Sequence, residues 1–340
     1  MSRHGQGAFW TRSNTFLVVL VGAGFCAGML VGWLWWGLSS AKSIDGNPLR
    51  IKSQFHFISP LLVCGLDNNE ILAEYTPLES KLKTIISLQE ASHKASAVSV
   101  YVQNLNTGRW TGINEDELYA PASLAKVALL VAYLKTAEQN PPLLDKQILY
   151  RGPSKSASNE EDFPPMTIGK SYSIRDLLYR LVAYSDNNAK DYLHALLNQN
   201  TFNNVFTDLS LPAPALADIG DSMSVKSYSL FFRTLYNATY LNQPMSELAL
   251  QLLSETKFDS GLLAGLPAST TVAHKFGHRH FETPQPGGIT DELHDCGIVY
   301  IPEHPYFVCV MTKGWNIADL ESTIQRISKS AYEDAISASQ

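Results

Sequence analysis

The chain is organised around one stretch, Pro121-Ala122-Ser123-Leu124-Ala125-Lys126-Val127, which opens an apolar helical run reaching Leu134. Proline and alanine suit a first helical turn, and no charged residue interrupts the run that follows. Ser123 and Lys126 are three apart, so a helix stacks them on one face. An ordinary serine hydroxyl is a poor nucleophile without a neighbouring base. A lysine buried among apolar residues can be that base, because desolvation disfavours its charged form. A helix N-terminus adds free N–H groups where an oxyanion would form. One turn can therefore hold nucleophile, base and field. The same spacing also suits a capped helix with one solvated lysine, so the motif gains meaning only from the rest of the chain.

With 45% hydrophobic and 17% charged residues over 340 positions, the composition is that of a globular protein with a large core. The formal net charge of −6 gives no sign of nucleic-acid binding. Residues Phe16 to Leu38 form an uncharged run between Arg12 and Lys42, long enough to cross a bilayer as a helix. Trp33, Trp35 and Trp36 sit at one end, as interfacial aromatics do. A cleavable signal peptide ending near Ser39-Ser40-Ala41 is the competing reading; the length of the run favours an uncleaved anchor. The expectation is a single-pass protein of the cell membrane with its folded domain outside the cytoplasm. Gly24, Gly28 and Gly32 form a small-residue stripe that could pair two such spans weakly. Of four cysteines, Cys26 lies in this run and Cys64 stands apart. Cys296 and Cys309 either face each other across a hairpin or are buried thiols.

Along the remaining chain, residues 39 to 55 read as a polar linker and Leu78 to about Ser92 as an amphipathic helix. Ala97 to Leu105 alternates as a strand, with Val98, Val100 and Val102 on one face, and Arg109 to Ile113 returns from a turn. Helices follow at Ser123 and from Ile174 to about Ala183, separated by a polar loop over 151–170. More helix is expected over Asp191–Leu197, Ser224–Tyr240 and Met245–Thr256. Three strands, Thr271–Phe276, Cys296–Ile301 and Phe307–Thr312, precede a last amphipathic helix from Asn316 to Ser337. Strands at both ends thus enclose a helical middle, an α+β pattern with an antiparallel sheet covered by helices and an inserted helical subdomain. The expected organisation is a cytoplasmic tail over 1–15, an anchor over 16–38 and a linker with leading helix over 39–94. A sheet-containing part over 95–118 and 260–340 then flanks a helical part over 119–259.

Three short elements occur in order: Ser123-x-x-Lys126, Ser185-Asp186-Asn187 and Lys275-Phe276-Gly277. With Tyr119-x-Pro121-Ala122-Ser123 and His294-Asp295-x-Gly297, they make the chain resemble the class A β-lactamases and penicillin-binding proteins over roughly residues 95 to 335. The resemblance implies a β-lactamase/transpeptidase-like fold and a β-lactam or cell-wall peptide as substrate. It implies that Ser123 attacks an amide carbonyl, Lys126 takes its proton and Ser185 relays a proton to the departing nitrogen. Asn187 would bond Lys126 and the substrate amide, and Lys275 would face a substrate carboxylate. Gly277 would let substrate approach the strand, and backbone N–H groups of Ser123 and His278 would form the oxyanion hole. No cofactor is implied.

Two departures stand out. Phe276 replaces the family's usual threonine or serine, removing a hydroxyl near the substrate carboxylate. No Glu-x-x-Leu-Asn lies between Ser185 and Lys275 to activate a deacylating water. The loop region before the helix expected at Ser224 offers Asp208, Asp218 and Asp221; Asp218 or Asp221 could substitute, and each also suits a loop or helix cap. Slow deacylation is therefore expected. His274, His278, His280 and His294 invite a metal reading, but no cysteine or carboxylate spacing completes a zinc site, so no metal is expected. Arg279, His280 or Arg109 could instead help to bind an anionic substrate. A carboxypeptidase or transpeptidase of cell-wall peptides and a catalytically idle wall-fragment binder remain the alternatives.

Overall fold

A computed structural model of the chain describes residue 29 and residues 49–50, 55–63, 76–153, 163–212, 222–282 and 289–337. Residues Met1–Gly46 and Asn47–Gln340 form two separate units. The expected anchor over 16–38, with its glycine stripe, lies outside the described residues apart from Met29, and so do Asp218 and Asp221. Among the described residues no helix is long and apolar enough to cross a membrane.

The second unit opens with a short antiparallel pair, β1 (Leu49–Arg50) and β2 (Leu61–Val63), then helix α1 (Thr76–Ala91). Strands β3 (Ala97–Asn104) and β4 (Trp110–Ile113) form a hairpin, and a 3-10 turn (Ala122–Ala125) runs into α2 (Lys126–Gln139). A small pair, β5 (Gln147–Leu149) with β6 (Ser171–Ser173), precedes the helices α3 (Ile174–Ala183), α4 (Asn187–Leu196), α5 (Gln199–Asp208), α6 (Val225–Tyr236) and α7 (Gln243–Ser254). Strands β7 (Thr271–Glu282), β8 (Ile289–Tyr300) and β9 (Tyr306–Gly314) lead to α8 (Ile317–Ser337). The main sheet is antiparallel throughout, in the order β4-β3-β9-β8-β7. The first and last thirds of the unit therefore meet at the β3–β9 pair, and β7 is left as an edge strand.

Each sheet face has its own core. On one face Val98, Val100 and Val102 pack with Leu78, Leu82 and Ile86 of α1 and with Leu320, Ile324 and Ile327 of α8. These spacings put one apolar stripe of each helix on the sheet. On the other face lie Tyr101, Phe307 and the helical middle. There the Lys126–Leu134 stretch of α2 is enclosed on all sides: Val127, Leu130, Ala132 and Leu134 have no exposed surface. Each of its fully buried leucines contributes about 1.5–3 kcal/mol of burial, so the element that carries Lys126 is a fixed one. Cys296 and Cys309 are register partners on β8 and β9 and are joined by a disulfide.

The structure departs from the sequence expectations in three places. Strands β7 and β8 extend past the expected 271–276 and 296–301, because their polar tips pair across the hairpin from His278↔Leu293 to Glu282↔Ile289. Helix α5 was not expected; its Asn- and Thr-rich sequence hides Phe202, Val205 and Phe206, which form a buried stripe, and Asn198 caps it by accepting from the Asn200 N–H at 2.8 Å. The β5–β6 pair brackets what had read as a plain polar loop.

Candidate active site

Ser123 sits in the 3-10 turn rather than in the helix proper, one turn before α2. The residue before it, Ala122, has φ of 46°, a left-handed conformation that costs an L-residue roughly 1 kcal/mol or more. Two supports hold this turn. From α6, the Tyr228 hydroxyl donates to the Leu124 carbonyl at 3.1 Å. From β8, Glu292 accepts from the Ala120 N–H at 3.2 Å, and His294 Nε2 donates to the Ala120 carbonyl at 3.0 Å. The Thr312 N–H donates to His294 Nδ1 at 3.3 Å, which fixes the ring as the Nε2–H tautomer.

Gly277 lies directly against the same turn. A Cβ there would come within 2.8 Å of the Pro121 carbonyl oxygen and 3.2 Å of the Leu124 nitrogen. The glycine therefore lets strand β7 approach the turn that carries Ser123. Gly277→Ala should push strand and turn apart, with an overpacking cost of about 1–3 kcal/mol. Cooperative melting should persist at a lower temperature, and an unchanged melting temperature would show that the close approach carries no such cost.

Ser185 comes from the tight link between α3 and α4. A capping box of Ser173 and Asp176 starts α3, with the Asp176 N–H donating to Ser173 Oγ at 3.0 Å and the Ser173 N–H to Asp176 Oδ2 at 2.9 Å. Helix α3 ends at Ala183, Ser185 turns left-handed at φ 55°, and Asp186 caps α4 through the N–H groups of Asn188 (2.8 Å) and Ala189 (3.2 Å). The other oxygen of Asp186 accepts from Arg180 Nε at 2.7 Å, so a buried ion pair pins both sides of Ser185.

The two lysines converge on that serine. Lys126 Nζ donates to Ser185 Oγ at 2.9 Å, to Asn187 Oδ1 at 2.8 Å and to the Ser185 carbonyl. Lys275 Nζ, fully buried, donates to Ser185 Oγ at 3.0 Å and to the Phe276 carbonyl at 2.9 Å. A hydroxyl has two lone pairs and one proton. With both lone pairs engaged by lysine N–H donors, the Ser185 proton is the part of the group that remains to be given. Ser123, Lys126, Asn187 and His278 line one cavity of about 410 Å³, together with Asp191, Arg279 and Phe202. Ser185 and Lys275 are buried and join this cavity through Lys126. At the position of the departure, the Phe276 ring stacks on Phe258 with centroids 4.3 Å apart, and Lys275 Nζ lies 4.0 Å from its centre. An aromatic face stands where a hydroxyl was expected.

Other candidates fall away or move. Asp208 ends α5 and accepts from the Tyr240 hydroxyl at 2.8 Å, which engages it outside the Ser123 cavity. Arg109 adjoins β4, at the opposite edge of the sheet from β7, and does not line this cavity. His274 and His294 are fully buried on opposite faces of the sheet, His274 paired with Asp295 at 2.8 Å, so the histidines do not make one group. Arg180, Asp186 and Glu292 were not singled out from sequence. Asp186 sits within the Ser-Asp-Asn motif; its partner Arg180 lies one and a half turns upstream at a spacing that carries no special signal.

Glu292 is the group in this network with a clear shift. Burial pushes its carboxyl up, but the hydrogen bond from His294 and the Lys313 ammonium at 3.0 Å outweigh it and hold the group below the ordinary 4.5. A carboxyl depressed in the folded state stabilises the fold above its unfolded value, and that contribution is lost as pH falls through the folded value. Part of the acid sensitivity of the fold below about pH 4.5 should therefore vanish in Glu292→Gln, which should also be less stable at neutral pH. Urea denaturation of both proteins across the acid range measures this; parallel curves would contradict it.

Taken together, fold and motifs define a member of the superfamily of class A β-lactamase-like and penicillin-binding-protein-like serine hydrolases. The chain belongs to the beta-lactamase enzyme family, whose model matches residues 77–335. No curated protein matches it in sequence. Among solved structures it is similar to PBP-A (TM-score 0.63, 20% identity, covering 77% of this chain and 96% of that one). It is also similar to a β-lactamase from Chitinophaga pinensis DSM 2588 (TM-score 0.64, 22% identity, 76% and 99%). The extended-spectrum β-lactamase TLA-3 gives a TM-score of 0.64 at 21% identity, covering 75% and 98%.

Proposed function

We propose that the protein is a membrane-anchored serine acyl hydrolase that forms an acyl-enzyme on Ser123 with β-lactams or related D-alanyl amides and releases it slowly. The observation that carries this reading is the shared serine: Ser185 Oγ lies 2.9 Å from Lys126 Nζ and 3.0 Å from Lys275 Nζ, behind the cavity lined by Ser123. In the acylation step Ser123 Oγ bonds to the amide carbonyl carbon and its proton passes to the deprotonated form of Lys126. The C–N bond breaks, the nitrogen takes the Ser185 proton, and Lys126 returns its proton to Ser185. Backbone N–H groups of Ser123 and His278 hold the oxyanion, and Lys275 attracts the substrate carboxylate. PBP-A has been solved, as a point mutant, in an acyl-enzyme complex with penicillin G.

Slow release is supported by a shortage of bases. Among the described residues lining the cavity the carboxylate is Asp191, which pairs with Lys190 at 3.1 Å. The same shortage favours, as a second reading, a carboxypeptidase or transpeptidase acting on cell-wall stem peptides. The uncharged run over 16–38 supports an anchor with the domain outside the cytoplasm. A fluorescent penicillin should stay attached to the full chain after denaturation, and Ser123→Ala should remove the label completely. Labelling that survives Ser123→Ala would overturn the choice of nucleophile.

A further inference from the structure

The hairpin tip beyond Gly277 carries a second constellation, separate from the serine and the lysines. His278 and His280 are two apart on β7, so a strand projects both to the same face. The register sets Asp291 of β8 directly opposite His280, with Leu293 opposite His278, which puts Asp291 on that face too. His278 Nε2 lies 3.0 Å from Asp291 Oδ1, and His280 Nδ1 meets the same oxygen. One ligand atom from each of the three residues falls within 4.8 Å of the other two. Asp291 is nearly buried and fixed by the sheet, whereas the two imidazoles are partly exposed and can rotate.

From this geometry we infer that His278, His280 and Asp291 form a binding site for a divalent transition-metal ion, zinc being the ion the donor set fits best. Two imidazole nitrogens and one carboxylate oxygen form a common zinc donor set with a fourth position left for water or another ligand. Magnesium and calcium prefer oxygen donors and are disfavoured by the two nitrogens. Zinc–nitrogen and zinc–oxygen bonds of about 2.0–2.2 Å in a tetrahedron place ligand atoms roughly 3.3 Å apart. The 3.0 Å His278–Asp291 contact already has nearly that separation, and imidazole rotation closes the remainder. On binding, the ring nitrogens that now point their N–H groups at Asp291 present lone pairs to the metal, and each ring carries its proton on the other nitrogen. Sequence spacing alone could not complete this set, because Asp291 lies on the next strand and only the β7–β8 register brings it to the histidines. His278 also lines the Ser123 cavity, so the ion would be held at the rim of that cavity.

The inference does not rest on the proposed acyl transfer, and its test has no activity readout. The full chain, free of any histidine tag, is dialysed against micromolar zinc and its metal content is measured. One zinc per chain is expected. His280→Ala should weaken zinc binding by at least about tenfold, the loss typical of removing even a supporting group. His280 is largely exposed, so this variant should melt like the parent. Asp291→Ala should lose zinc as well, and His93→Ala, an exposed histidine elsewhere, should keep it. A parent chain that retains no zinc, or a His280→Ala chain that retains it undiminished, would overturn the proposal and leave Asp291 as a hydrogen-bond acceptor for two imidazoles.

Discussion

Lys126→Met should slow acylation by penicillin by roughly 10²- to 10⁴-fold while leaving the melting temperature close to that of the parent. The side chain is 4% exposed, and its ammonium is held by Ser185 and Asn187. Removing it leaves the Asn187 oxygen and the Ser185 carbonyl short of a donor, which costs about 1–3 kcal/mol for each buried group. Removing it also lifts the desolvation of a buried charge, which is worth several kcal/mol in the opposite direction. The two effects oppose each other in stability and add in the chemistry. Both proton transfers of the proposed step pass through this nitrogen, so a fall in rate without a fall in stability is the signature of a base. A variant that acylates within a few-fold of the parent would remove Lys126 from the mechanism.

The second large effect concerns a residue that touches no substrate. Arg180→Ala should cost about 3–5 kcal/mol of stability, because it strands the Asp186 carboxylate, whose side chain is 1% exposed, without its cation. Arg180 also donates to the Pro164 carbonyl at 2.6 Å and lies 5.6 Å from the ring centres of both Phe163 and Tyr184, which stack on each other. Its loss should therefore loosen the segment before the helical pair as well. Asp186→Ala should cost a similar amount, and the double variant should cost clearly less than the two together, since the pair acts as one unit. Labelling should fall in each, because Ser185 keeps its left-handed backbone only while both neighbours are held. Equilibrium urea unfolding of the two single variants and the double variant measures the coupling. Additive losses would show that the ion pair does not act as a unit.

What could be read from the chain was the chemistry that its own spacing carries. Ser123 and Lys126 are neighbours on any helical turn, and Ser185-Asp186-Asn187 contains both a relay hydroxyl and a helix cap. The alternation of Val98, Val100 and Val102 gave one of the two buried faces of β3. The residues that went unread are those whose partners are set by register or by tertiary packing. Asp291 meets two histidines only across the β7–β8 hairpin, and Glu292 meets Ala120 only because the sheet folds beneath the serine turn. Gly277 was singled out for the room it leaves a substrate, whereas the crowding the fold shows there comes from Pro121 and Leu124, more than 150 positions upstream. Helix α5 was missed because its polar face dominates the composition while three apolar residues fix its place. Phe276 shows the reverse case: the departure is plain in the sequence, but its stacking on Phe258 needs the loop before β7.

The most direct test of the account is the intact mass of the full chain mixed with benzylpenicillin and followed over time. The account predicts a shift by the mass of one whole penicillin that persists long after free drug is removed and that maps to the peptide containing Ser123. A chain that never gains this mass, whether the drug stays intact or is hydrolysed rapidly, would contradict it, and so would an adduct that maps to any other residue.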